Sequence, residues 1–324
     1  MAQKKLNIVY LHSHDTGRYI QPYGYQVETP HLQSLAENGV LFRQAFCAGP
    51  TCSPSRAALL TGQYPHQNGM LGLAHRGFCL TDYSHHLANF LKGFGYKSFL
   101  AGVQHVAGAD MFPEPWKTIG YDGFLGKYDK AQINACEFLN QGPPEPFFLS
   151  VGFYETHRPF PEVSQAHSRY CLPPEPLPDT AETRADMAGF KVLAMRLDEK
   201  IGQIIEALRR NKFLGKTLII CTTDHGPAFP RMKCTLYDGG IRVMLIIHGP
   251  DIFSGGKVVN GLVSQVDIFP TLGQYLSLPL PDWLAGVSFL PLLTGQSAVR
   301  EEVFAEINYH AAYEPGRCIR TTRY

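Results

Sequence analysis

The sequence predicts an α/β fold, a mostly parallel central sheet flanked by helices on both faces, on three observations. Short apolar runs alternate with segments of helical periodicity, the runs falling at residues 6–11, 96–101, 146–153 and 217–222. The 324 residues are 44% hydrophobic, which suffices for one large core, and they read as a single domain over 1–324. Each of the four runs leads into histidine or aspartate, at the position where open α/β sheets bind ligands.

The first run, Leu-Asn-Ile-Val-Tyr-Leu, reads as a buried strand that delivers His14 and Asp15. Asp15 alone suits a turn cap as well as a site. Thr29 and Pro30 open a helix through Leu32, Leu35, Ala36 and Val40, with Gly39 closing it. Residues 51–62 place Cys52 at or just before a helix N-terminus, because Pro54 presets a first helical position, the flanking serines can cap, and 57–60 are good helix formers. Such a terminus attracts anions, although a lone cysteine there also fits ordinary burial.

Residues 84–94 read as an amphipathic helix, and 96–101 as a strand ending near Gly102 and His105. The strand at 146–153 delivers His157. Leu197, Ile201, Ile204, Ile205 and Leu208 mark one face of a helix over about 194–211, and the strand at 217–222 leads into Asp224, His225 and Gly226. A histidine after a strand is often only a hydrogen-bonded loop residue. Recurrence at four strand ends points instead to one site, where aspartates and imidazoles supply ligands for a divalent cation. The proline-bearing stretches 172–178 and 279–281 read as surface connections, and 318–324 as the start of a strand.

A formal charge of +1, without long basic or acidic runs, offers nothing to nucleic acid or to a membrane surface. No apolar span reaches the length of a membrane helix, and the apolar run behind the basic start at 1–5 is too short for a signal peptide. The chain as given reads as cytoplasmic, or as periplasmic or secreted if an export signal has been removed. Eight irregularly spaced cysteines form neither a disulfide framework nor a zinc pattern, in keeping with a reducing compartment.

Together these residues resemble the sulfatase family of the alkaline-phosphatase superfamily. The most specific match is Cys52-Ser53-Pro54-Ser55-Arg56 with Leu60-Thr61-Gly62, similar to the signature at which a maturation enzyme oxidises cysteine to formylglycine. Thr29-Pro30-His31-Leu32, Gly102 with His105, Thr156-His157, Leu197-Asp198, Asp224-His225-Gly226 and the segment 264–271 match as well. Residues 52–72 look most like the heparan N-sulfatase (sulfamidase) branch and its bacterial members. The resemblance implies hydrolysis of a sulfate ester or sulfamate on a sulfated carbohydrate such as a glycosaminoglycan. In that chemistry one hydroxyl of a hydrated formylglycine at Cys52 attacks sulfur, and the second expels sulfate and restores the aldehyde. Asp15, Asp224, His225, His14 and Cys52 would hold one divalent metal, Arg56 would orient the formylglycine, His105 would act as base, and His157 and Lys233 would contact the sulfate and protonate the leaving group. Without the resemblance, Lys233 reads as a solvated loop charge.

Three departures qualify this reading. His14 stands where the family has an aspartate, so that an imidazole replaces one carboxylate ligand or the site has one ligand fewer, and His225 stands where the family commonly has asparagine. Calcium stays first by the resemblance, with manganese or another transition metal as the alternative these imidazoles favour. Val103 stands where a lysine is expected. Residues 303–324 look like the beginning of a small C-terminal antiparallel subdomain that is largely missing. A phosphonate or phosphate ester hydrolase on the same scaffold, or a non-catalytic relative, are the alternatives.

Overall fold

The computed structural model describes residues 5–324, so the basic start, Lys5 apart, lies outside the described residues. The apolar runs become strands with both faces covered. In β1 (Asn7–Ser13) all seven residues are buried, with Ile8 and Tyr10 entering one core cluster and Val9 and Leu11 the other. Seven further strands join it: β2 (Val40–Phe46), β3 (Lys97–Gly102), β4 (Gly123–Gly126), β5 (Phe147–Gly152), β6 (Thr217–Thr223), β7 (Leu245–His248) and β8 (Lys257–Ser264). Their order is β4-β3-β5-β1-β6-β7-β2-β8, and every pairing is parallel except those of β7 with β6 and β2. Helices Leu87–Lys92 and Ile268–Tyr275 bury Leu87, Leu91, Phe269 and Leu272 on one face of the sheet. Helices Pro30–Asn38, Ala131–Asn140 and Ala181–Arg210 bury Leu32, Leu139, Leu197 and Ile201 on the other. The last strands, β9 (Glu302–Tyr309) and β10 (Tyr313–Thr321), form a separate antiparallel pair. Among the described residues no helix is long and apolar enough to cross a membrane, and all eight cysteines are free.

Several boundaries differ from expectation. Val40 opens β2 and does not extend the first helix, which stops at Asn38 because Gly39 breaks it. The helix expected from about 194 begins at Ala181, capped by Thr180. Its first half packs Met187 and Phe190 against Val27, Phe229 and Met232, a separate cluster outside the periodicity of its second half. Pro54 is the third helical residue, since helix Cys52–Thr61 starts at the cysteine itself. A proline costs little there, because the first amides of a helix lack intrahelical partners. The serines beside it do not cap. Ser55 Oγ donates to the Asp224 carbonyl and Ser53 Oγ accepts from the Ala74 amide, tying the cysteine helix to β6 and to the loop across from it.

Two motifs that are distant in sequence prove to be one device. The Asp198 carboxylate accepts the amides of His31 and Leu32 at 3.0 and 2.7 Å, capping the first helix from the longest one.

Candidate active site

The carboxyl ends of β1 and β6 lie side by side, in register through Ser13 and Thr223, so the residues that follow them meet. Asp15 takes a left-handed backbone at φ 53°, which aspartate tolerates better than most residues, and its amide donates to Asp224 Oδ1 at 2.8 Å. Arg56 lies one turn after Cys52 on the same helix and is 1% exposed. Its Nη2 donates to the Ser13 carbonyl at 2.8 Å and to Asp224 Oδ2 at 3.0 Å, and its Nη1 donates to His12 Nδ1. Arg56 therefore ties the end of β1 to the Asp224 carboxylate. Burial works against ionising Asp224, but His225, Arg56 and the other cationic groups around it hold its carboxyl well below the usual range.

Three histidines face this centre in one tautomer. A carbonyl can only accept, so the 2.9 Å contact of His14 Nδ1 with the Phe153 carbonyl, that of His157 Nδ1 with Arg158 at 2.6 Å, and that of His225 Nδ1 with Gly226 at 2.9 Å each place the proton on Nδ1 when the ring is neutral. The Nε2 atoms are then left to accept, and that of His225 takes the Cys52 thiol as its partner. His225 Nε2 stands 3.4 Å from Cys52 Sγ, 3.5 Å from Asp15 Oδ1 and 3.7 Å from Asp224 Oδ2, and Asp15 Oδ1 is buried with no hydrogen-bond partner. Lone pairs and carboxylates converging out of water repel one another unless a cation lies among them. The donor set of two carboxylates, one imidazole and the Cys52 side chain thus fits a divalent metal.

Four of the five ligands expected from sequence come together in this group. The fifth, His14, does not join them, because its bond to Phe153 turns it towards Cys52 and His105, and these three form a second group. Lys233 Nζ reaches Asp15 Oδ2 at 2.7 Å. Burial opposes its charge, but Cys52, Asp15 and Asp224 facing it push the ammonium pKa up. His157 Nε2 lies 3.9 Å from the same carboxylate oxygen. His105 arrives from the loop after β3, also in the left-handed region at φ 55°. Gly102 and Gly152 allow that loop to close, since a Cβ at either would fall within about 2.1 Å of a facing carbonyl. Burial, with Arg56 and His75 adding to it, pushes His105 down to about 3, so its ring is neutral.

Sequence reasoning missed four contributors. His12 accepts from Arg56 and bonds Ser150 Oγ at 3.1 Å; the alternation of the strand end, His-Ser-His, was its only signal. Gln265 Nε2 donates to the Thr223 carbonyl at 2.6 Å, within a segment that matched the family without an assigned role. His75 bonds His105 ring to ring at 3.0 Å, and His310 comes from the β9–β10 turn with its carbonyl held by Arg76. Nothing local in the sequence marks either of these two.

The thiol itself is unsuited to direct attack. Cys52 is 3% exposed, and burial, reinforced by Asp224, pushes its pKa well above the ordinary value, whereas a thiol nucleophile needs the opposite shift.

The sequence profile described as Sulfatase matches residues 6–278. Human N-sulphoglucosamine sulphohydrolase is 29% identical, the match covering 88% of this chain and 64% of that protein. An ulvan-active sulfatase of Formosa agariphila is 25% identical over 98% of this chain and 60% of its own length, so the chain spans less than two thirds of these relatives. The solved structure of a phosphonate monoester hydrolase from Silicibacter pomeroyi shares the fold with a TM-score of 0.73 at 21% identity, covering 97% of this chain and 81% of that one.

Proposed function

The chain belongs to the sulfatase family, and from that premise we propose that it hydrolyses a sulfate ester or sulfamate on a sulfated carbohydrate, with Cys52 converted to formylglycine as the nucleophile. The observation that carries the reading is the setting of Cys52. Its side chain begins a helix, faces His225 at 3.4 Å, and belongs both to the carboxylate group and to the histidine group, yet as a thiol it is held protonated. A buried, inert thiol at the focus of so many polar groups makes chemical sense once it becomes an oxygen nucleophile.

A divalent cation bound by Asp15, Asp224, His225 and the Cys52-derived oxygen would polarise the nucleophile and offset charge on the sulfate. The chain's own residues do the rest. Arg56 fixes Asp224 and the end of β1, so that the carboxylates keep their aim. Neutral His105 accepts the proton of the hydroxyl that expels sulfate. Lys233 brings a fixed positive charge to the sulfate oxygens, and His157, 30% exposed at the rim, in its imidazolium form gives its Nε2 proton to the departing oxygen or nitrogen and is left neutral. The human relative's name identifies an N-sulfated glucosamine as its substrate, and we extend that substrate class to this chain.

Mass spectrometry of the Cys52 peptide tests the nucleophile, because conversion exchanges CH2SH for the lighter CHO. A panel of sulfate ester, sulfamate and phosphodiester substrates tests the reaction. Preference for the phosphodiester would assign the same centre to phosphoryl chemistry.

A further inference from the structure

Beyond His105 the site opens into a cavity of about 580 Å3 whose far wall takes no part in the chemistry above. His105 and His75 form its inner edge, their rings nearly parallel at an interplanar angle of 10°. Trp116, Phe124 and Tyr128 line the outer wall beside Lys127, and no carboxylate faces in. Phe124 is 40% and Tyr128 48% exposed, so aromatic faces stand in water next to a polar centre, an arrangement that burial energetics alone would not maintain. The surface continues inward: Tyr128 packs on Tyr154 at 5.1 Å, and Tyr154 on His157 at 4.9 Å and on His14 at 5.9 Å. Val103, where the family resemblance expects a lysine, lines this same cavity, and Lys127 is the lysine found there.

A pyranose presents a C–H face that packs on aromatic rings while its hydroxyls stay hydrated. An anionic group on such a ring would meet Lys127 without meeting a competing carboxylate. We propose that this cavity binds a second, acidic sugar of the substrate, its ring against Tyr128 and Phe124 and its carboxylate or sulfate on Lys127. The proposal rests on the sulfatase reading, which places the scissile ring at Cys52.

Calorimetric titration of the whole chain tests it with four probes: N-sulfated glucosamine, that ring joined to a uronate, the same disaccharide with the uronate carboxyl reduced to an alcohol, and the reduced disaccharide carrying an O-sulfate. Lys127 and Tyr128 are both exposed, so K127M and Y128A spare the core. The uronate or the O-sulfated disaccharide is expected to bind up to about fivefold tighter than the reduced one, the upper range for one exposed ion pair. Whichever of the two gains identifies the anion. K127M should erase the gain, and Y128A should weaken all the disaccharides about tenfold. Equal binding of all three disaccharides, no binding of any, or an equal loss of the monosaccharide in K127M, which would place Lys127 on the scissile sulfate, overturns the proposal. Turnover measured alongside separates the two readings. Lys127-dependent disaccharide binding without turnover sinks the sulfatase reaction and leaves the cavity's ligand standing, whereas turnover with binding indifferent to Lys127 sinks the cavity alone.

Discussion

The ends of β1 and β6 and the wall beyond β3 flank Cys52 and His105, and they are built differently. At the strand ends Asp15, Arg56 and Asp224 are at most 2% exposed, and most of their polar atoms are pinned by bonds reaching across more than one element. On the wall, His75, Phe124, Lys127 and Tyr128 are exposed, with His75 stacked on His105 and Tyr128 packed on Tyr154. Charges that must keep a fixed aim cannot share that aim with water, whereas a surface that receives different rings gains from remaining wet and adjustable. On the proposed function, the contrast would separate making the reaction from choosing its substrate.

Four measurements can break or sharpen that contrast. The largest effect belongs to Cys52→Ala, expected to lower kcat by ~10⁴-fold or more while substrate still binds in a titration. Retention of appreciable turnover would move the nucleophile elsewhere. Arg56→Met comes next. It leaves Asp224 buried without its guanidinium partner, and urea unfolding should show a loss of about 3–5 kcal/mol. A loss below about 1 kcal/mol, as at a surface pair, would mean that the strand ends are no stiffer than the wall.

Cation removal is third. If the repelling oxygens of Asp15 and Asp224 enclose a metal, a chelator should lower the unfolding midpoint and added divalent cation should restore it, by ~2.7 kcal/mol at one hundred times the dissociation constant. An unchanged midpoint would remove the metal from the site. The smallest effect lies under the wall. His86 caps helix Leu87–Lys92 by accepting the Ala88 amide and lies 5.8 Å from the Tyr121 ring, and burial pushes it down to about 3. The unfolded chain binds a proton there near pH 6.5 and the folded chain does not. His86 therefore contributes its full stability above about 6.5 and loses it as the pH falls towards 3, with a slope of up to about 1.4 kcal/mol per pH unit. His86→Asn keeps a capping oxygen without titrating, and its thermal unfolding should depend less steeply on pH than that of the wild type between pH 7 and 5.

The same contrast explains what could be read from the sequence. Asp15, His105, His157 and Asp224 follow an apolar strand and Cys52 opens a helix, so local pattern marks their places. β7 is four residues long, and β8, at the sheet edge, is mostly exposed over its first half and continuously buried only over its last three residues, so neither stands out as a buried run. His14 lay in the expected place, but the role expected of it rested on a ligand count, and the Phe153 carbonyl on a neighbouring strand end decides where its ring points. The wall is assembled from His75, His105 and the stretch around Trp116 to Tyr128, and the hairpin tip is held through Arg76 and His310, 234 positions apart. No periodicity spans such separations.

The central place of β1 also carries a consequence for how the chain is made. Its hydrogen-bonding neighbours are β5 and β6, and 138 positions separate His12 from its partner Ser150. At ribosomal speeds of ~5–20 residues per second, the first strand waits on the order of ten seconds for a neighbour, its apolar edges open to holdase chaperones and to aggregation alike. The cysteine loop emerges inside that interval. In the finished fold Cys52 is 3% exposed, so any reagent or enzyme that is to modify it would have to reach it before the sheet has closed above it.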